Sequence, residues 1–110
     1  MVSLAALVGG LYVGAPYVCN KAATLGLNRN HAVQAGREYG IRVNSISPVI
    51  VSGQMISLTP SQAIDGVKDL MKVWKQEVPP IHLLYIFETL CHTPSITGKN
   101  IVIDGGILLE

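Results

Sequence analysis

Residues 17–48 read YVCNKAATLGLNRNHAVQAGREYGIRVNSISP, and this stretch decides the fold. Its first part, Tyr17 to Glu38, holds no proline, and Ala22, Ala23, Leu25, Leu27, Ala32, Val33 and Ala35 favour a long helix. Pro16 just before it suits a first helical turn, and Gly40 just past it suits a stop. The texture then changes. Ile41, Val43 and Ile46 make Ile41 to Ser47 a short β-rich run, which Pro48 ends. A long helix feeding a short apolar strand is the repeating step of an α/β sheet.

Outward from that core the same grammar continues. Met1-Val2-Ser3 reads as the last stub of a buried strand, and Leu4 to Ala15 as loop punctuated by Gly9, Gly10 and Gly14. Pro48 to Leu58 reads as loop. Thr59-Pro60 opens a helix, as a capping residue followed by proline at the first position. Ile64, Val67, Leu70, Met71 and Trp74 recur at helical spacing, so this helix is predicted to be amphipathic and to end near Glu77. Pro79-Pro80 breaks it. Ile81 to Leu90 is apolar enough for a third, buried helix, and Asn100 to Ile103 gives a last strand, stopped by Gly105-Gly106. The order is strand stub, long helix, strand, two helices, strand. Strands separated by helices imply crossovers and a parallel sheet.

Composition narrows the function classes. With 110 residues the chain holds one small domain and not two. It is 49% hydrophobic and only 14% charged, so it has more to bury than to expose, and an apolar surface left over needs a partner. The net charge is +1, with no basic stripe, which argues against nucleic acid. Cys19 and Cys91 lack metal-ligand spacing and read as free thiols in a reducing compartment, the cytoplasm. Residues 1–20 carry no charged side chain and in a hydropathy window resemble a membrane span. Gly9, Gly10, Gly14 and Pro16 interrupt them and no basic residue precedes them, so a buried strand end and a glycine-rich loop is the better reading.

Tyr17 and Lys21 are the first residues with chemistry in them. Four apart near a helix start, they share one face. A free tyrosine titrates near 10 and is a poor acid or base at neutral pH, but a neighbouring ammonium favours the phenolate. Exchange of a hydride between a carbonyl and an alcohol needs such a group to give or take the alcohol proton. On spacing alone a surface helix pair is the commoner explanation. His31 and Arg29 read as exposed helix residues, Trp74 and Met71 as apolar lining, and His82 and His92 have no partner at catalytic spacing. No metal site is expected.

Order along the chain adds to that pair. Ser3-Leu-Ala-Ala-Leu-Val-Gly9-Gly10 precedes it; Gly40-Ile-Arg-Val-Asn44-Ser-Ile-Ser-Pro48 follows; Ile96-Thr-Gly98-Lys-Asn100-Ile-Val-Ile-Asp104-Gly105-Gly106 closes the chain. Together these resemble the short-chain dehydrogenase/reductase family over essentially the whole chain. The texture is most similar to its plant branch, the secoisolariciresinol dehydrogenase and xanthoxin dehydrogenase-like proteins. The resemblance implies the C-terminal half of a Rossmann-like, doubly wound parallel sheet. It implies that Tyr17 is the general acid/base, and that Lys21 lowers its pKa and holds the nicotinamide ribose. Ser3 would hold the substrate oxygen; it lies one residue further from the tyrosine than the family's interval, and its alternative is an ordinary strand-end serine. Pro48 to Gly53 is similar to the family's nicotinamide turn, where Pro48 and Val51 would bind cofactor, Val51 through its backbone. Val49 stands for the usual glycine, and Gly53 for a threonine that would touch the diphosphate. Asn44, Asp104 and Gly105 would brace strands and turns.

The resemblance also implies what these residues are missing. The family's Thr-Gly-x-x-x-Gly-x-Gly loop, which cradles the diphosphate, and the acidic residue that selects NAD over NADP do not occur. The chain is therefore expected to be a partial domain, residues 1–110, lacking the nucleotide-binding half. Alone it is expected to be inactive and to bind NADH no tighter than millimolar. Two hypotheses follow. One is an NAD(P)-dependent oxidoreductase of secondary alcohols and ketones present as a truncated chain, with NAD the favoured cofactor. The other is a non-catalytic relative that acts by pairing with a longer chain. A homo-oligomer or such pairing is implied, with no nucleic acid and no membrane partner. A third hypothesis, membrane association through residues 1–20, predicts that the chain pellets with membranes.

Overall fold

A computed structural model describes residues 1–9 and 11–109. The expected Gly9-Gly10 pair therefore falls partly outside the described residues, at Gly10. In order, the chain forms a 3-10 turn at Leu4–Ala6, α1 at Ala15–Tyr39, β1 at Ser45–Pro48, α2 at Gln54–Ser57, α3 at Ser61–Leu70, α4 at Pro80–Cys91 and β2 at Asn100–Ile103. The two strands are parallel, with Ser45 opposite Asn100 and Pro48 opposite Ile103. The architecture is α/β, as expected.

The chain's start lies on the other edge of β1. Val2 N–H donates to the Ile46 carbonyl at 2.9 Å, while Ser45 and Val49 N–H groups turn the opposite way, to Lys99 and Ile103. So the expected strand stub is an extended segment held by a single sheet-type bond. Val2, Leu4, Ile46, Met71 and Val78 are almost fully buried and form the core around β1.

α1 has the boundaries its sequence predicts to within two residues. Gly14 caps the start with Pro16 in the first turn, and Gly40 ends it at φ 66°, its N–H donating to the Gly36 carbonyl at 3.1 Å. Of its 25 residues only Leu25 and Asn28 are buried. Most of the helix surface faces outward.

Five expectations need correction. The helix expected to be buried, α4, buries only Leu83. The strand was predicted from Ile41, but it starts at Ser45. Residues 42–44 are taken by the loop before β2 instead: Val43 N–H donates to Thr97 Oγ1, Asn44 Nδ2 to the Ile96 carbonyl, and Lys99 N–H to Asn44 Oδ1. The predicted Pro48–Leu58 loop contains the short α2. There Thr59 does not cap α3; its hydroxyl donates backward to the Met55 carbonyl at 2.9 Å, and Pro60 stands at the N-cap. Finally, α3 ends at Leu70, not near Glu77. Beyond it, Val73 and Trp74 N–H groups both donate to the Gly105 carbonyl at 3.1 Å, a tertiary pairing that replaces another helical turn. Gly105 has φ 61°, and a Cβ there would stand 2.5 Å from the Trp74 carbonyl oxygen, so only glycine allows this approach. The apolar spacing of Met71 and Trp74 was real, but it marks burial of Met71 under the last turn of the chain rather than helix.

Candidate active site

Ser3 and Tyr17 reach one place from two segments, and Lys21 stands behind Tyr17, outside it. Ser3 is buried at the end of the extended start, where its Oγ accepts the Ala5 N–H at 3.2 Å and so caps the 3-10 turn. A hydroxyl has one hydrogen to donate and two lone pairs to accept with. The cap uses an acceptor position, so the Ser3 hydrogen stays available to a carbonyl or alcohol oxygen. The capping bond is the structural role expected of an ordinary serine here, and it leaves the second role open.

Tyr17 opens the first turn of α1 and is 38% exposed. Lys21 lies one turn on, its Nζ 5.6 Å from the centre of the Tyr17 ring and 3.4 Å from the Met1 carbonyl, to which it donates. That second bond ties the chain's start to α1. Both residues thus border the segment that carries Ser3.

Ser3 and Tyr17 line the same cavity, of about 310 Å³. The cavity lies between the 3-10 turn, the 11–13 loop, the start of α1, Val49-Ile50 and the α2–α3 pair. Fourteen residues line it and none is charged; Ser3, Tyr12, Tyr17 and Thr59 supply its only polar side chains among the described residues, on a wall that is otherwise hydrocarbon. An apolar cleft with few convergent polar groups is the usual form of a small-molecule site. Of the lining, Ile64 and Val67 were legible as the apolar face of α3. Tyr12 and Val49 were not: neither belongs to a periodic run. Trp74 and Met71, read as apolar lining, are not among the residues that line the cavity.

Pro48 and Val51 lie beside this cavity and outside its lining. Pro48 is the buried last residue of β1. Val51 forms an isolated parallel bridge with Val78, made by the Val78 N–H to the Ile50 carbonyl at 2.7 Å and the Ser52 N–H to the Val78 carbonyl at 3.1 Å. In that pattern the central residue's own N–H and C=O point away from the bridge. Among the described residues neither has a backbone partner. A carboxamide carries one acceptor and one donor group, which complement this pair, so Val51 fits the amide end of a nicotinamide. Gly53 brings no hydroxyl to a diphosphate. Cys19 and Cys91 are free and exposed, and no group of three metal-ligating side chains occurs among the described residues. No helix among them is long and apolar enough to cross a membrane.

A family model described as enoyl-(acyl carrier protein) reductase matches residues 1–108. The chain is 33% identical over 108 residues to an A-factor type gamma-butyrolactone 1'-reductase of Streptomyces virginiae, covering 92% of this chain and 42% of that protein. Among solved structures, it superposes on a short chain dehydrogenase of Bacillus anthracis with a TM-score of 0.80 at 26% identity, covering 100% of this chain and 43% of that one. It superposes on 4-hydroxyisoleucine dehydrogenase complexed with NADH with a TM-score of 0.81 at 29% identity, covering 99% of this chain and 45% of that one. The chain thus spans less than half the length of each of these proteins.

Proposed function

Because the chain belongs to the short-chain dehydrogenase/reductase family, we propose that it supplies the proton-transfer and substrate half of an NAD(P)-dependent oxidoreductase acting on secondary alcohols and ketones. The observation that carries this reading is the shared cavity: Ser3 and Tyr17 meet on one apolar wall, with Lys21 one turn behind. NAD is favoured over NADP, and the NADH bound in the 4-hydroxyisoleucine dehydrogenase structure supports nicotinamide chemistry in the fold.

The chain's own groups divide the work. The Ser3 hydroxyl donates to the substrate oxygen and fixes its position. Tyr17 takes the alcohol proton in the oxidation direction and returns it to the carbonyl oxygen in reduction. Lys21, over the Tyr17 ring, would present its ammonium to a ribose hydroxyl of the cofactor. Val51 and the end of β1 at Pro48 receive the carboxamide end of the cofactor. A bound nicotinamide supplies the hydride acceptor or donor. The apolar walls exclude water from the proton exchange. The narrower resemblance to the plant secoisolariciresinol and xanthoxin dehydrogenase-like branch, and a cytoplasmic location, belong to the same proposal.

The test is turnover of a nicotinamide cofactor with a secondary alcohol by the polypeptide recovered from its source with whatever is bound to it. Tyr17→Phe removes only the hydroxyl and is expected to lower kcat by about 10²- to 10⁴-fold with KM little changed. Retention of wild-type kcat by Tyr17→Phe would refute the assignment. A second reading is favoured by the apolar surface. Leu27 and Val33 on α1, and Ile81, Leu84, Tyr85 and Phe87 on α4, are all exposed. In that reading the chain is non-catalytic and acts through association with a longer relative or with its own copies. It predicts co-purification with such a chain and no effect of Tyr17→Phe on the partner's activity.

A further inference from the structure

The cavity's lining says what kind of molecule it takes. Its four polar side chains are Ser3, Tyr12, Tyr17 and Thr59, and the hydroxyl hydrogen of Thr59 is already committed to the Met55 carbonyl. None of the chain's eight Lys and Arg residues reaches the wall. A carboxylate or phosphate drawn into it would lose its water and gain no cation, a large penalty. A hydrocarbon body would lose only unfavourable contact with water. We propose that this cavity binds the hydrocarbon body of a neutral secondary alcohol or ketone, and rejects anionic substrates of the same shape. The inference deepens the oxidoreductase reading and rests on it for the position of the reacting oxygen.

One residue sets the size of that body. Tyr12 stands in the loop before α1 at φ 56°, a backbone state uncommon for a bulky side chain. Its ring reaches across to α3 and lies on Gly66, where an added Cβ would come within 2.6 Å of the ring edge and the hydroxyl. No other residue type at position 66 leaves room for the ring in that place. Tyr12, 66% exposed, thus reaches from the 11–13 loop to α3 along the edge of the cavity that it lines. It acts on substrate width as a specificity-determining residue.

Two measurements test this, and they fail separately from the oxidoreductase reading. The first is calorimetric binding to the polypeptide recovered from its source with whatever is bound to it, measured with no added cofactor. The probes are cyclohexanol, its methyl, ethyl, propyl and butyl homologues, and hydroxycyclohexanecarboxylate. Affinity is expected to rise about fourfold per added methylene until the cavity is filled. The carboxylate is expected to bind at least about 100-fold more weakly than the ethyl homologue. Equal binding of the carboxylate, or no gain with chain length, would overturn the proposal whether or not the polypeptide turns over nicotinamide. Binding as expected, with no turnover by the protein recovered from its source, would leave the cavity assignment standing and sink the oxidoreductase reading. The second measurement compares variants by the ratio of butyl-homologue to cyclohexanol affinity. Tyr12→Ala is expected to raise that ratio at least about fourfold, and Tyr12→Phe, which keeps the ring, to bring it back. Gly66→Ala, which unseats the ring, is expected to change the ratio as well. A ratio unmoved by Tyr12→Ala, in a variant whose circular dichroism matches wild type, overturns the role of Tyr12.

Discussion

Ser3 shows how one side chain carries two roles that a single substitution confuses. Its Oγ accepts the Ala5 N–H while its hydrogen is free for substrate. Ser3→Ala is therefore expected to cost about 1 kcal/mol of stability through the lost cap and also to lower turnover. Ser3→Thr keeps the hydroxyl and restores both. Denaturant midpoints and kcat measured on the same preparations separate the two; a Ser3→Ala variant that loses stability and keeps full kcat would leave Ser3 as a cap alone. Tyr17 and Lys21 were legible at this scale because their spacing on a helix is fixed by its geometry. Tyr12 was not, since its position depends on a positive φ and on an absent side chain at Gly66, and neither has a local pattern.

At the scale of elements, buried polar groups fix how the pieces meet. Ser45 and Ser47 hydroxyls both donate to Asn100 Oδ1 at 2.8 Å, a clamp between β1 and β2 that holds their register. Ser45 and Ser47 are buried, so Asn100→Ala would leave two hydroxyls without this acceptor and is expected to cost about 2–3 kcal/mol. An unfolding midpoint within error of wild type would contradict this. Arg42 works similarly on α4. Its Nη1 donates to the carbonyls of Leu90, Thr93 and Ile96 at 2.8, 3.2 and 3.1 Å, at the helix's C-terminal end. Arg42→Met keeps much of the stem and loses the donors, and is expected to destabilise by about 1–3 kcal/mol; a thermal melt reads it directly. These bonds explain what the sequence hid. The Ile41 to Ser47 run looks β-rich throughout, yet Arg42, Val43 and Asn44 spend their polar groups on residues between α4 and β2 and on the end of α4, and only Ser45 onward pairs as strand. The helices α1 and α4 were legible because proline and glycine mark their ends. The end of α3 was not, because it is set by Gly105, thirty-five residues after Leu70.

The whole molecule is a two-stranded parallel sheet with helices that bury little. Exposed Leu58, Val73, Tyr85 and Leu109 leave apolar surface beyond what the core takes up. The low charged fraction anticipated this, and both the catalytic and the associating readings draw on it. What the catalytic reading alone requires is that a hydride leave the carbinol carbon for the nicotinamide while Tyr17 takes the proton. Deuterium placed on the carbinol carbon of cyclohexanol follows that hydride. After incubation with oxidised nicotinamide cofactor and the polypeptide recovered from its source, mass spectrometry of the cofactor is expected to show the deuterium in the reduced nicotinamide, and Tyr17→Phe to lower its rate of appearance by about 10²-fold or more. Unlabelled nicotinamide, or label appearing as fast with Tyr17→Phe as with wild type, would contradict the account.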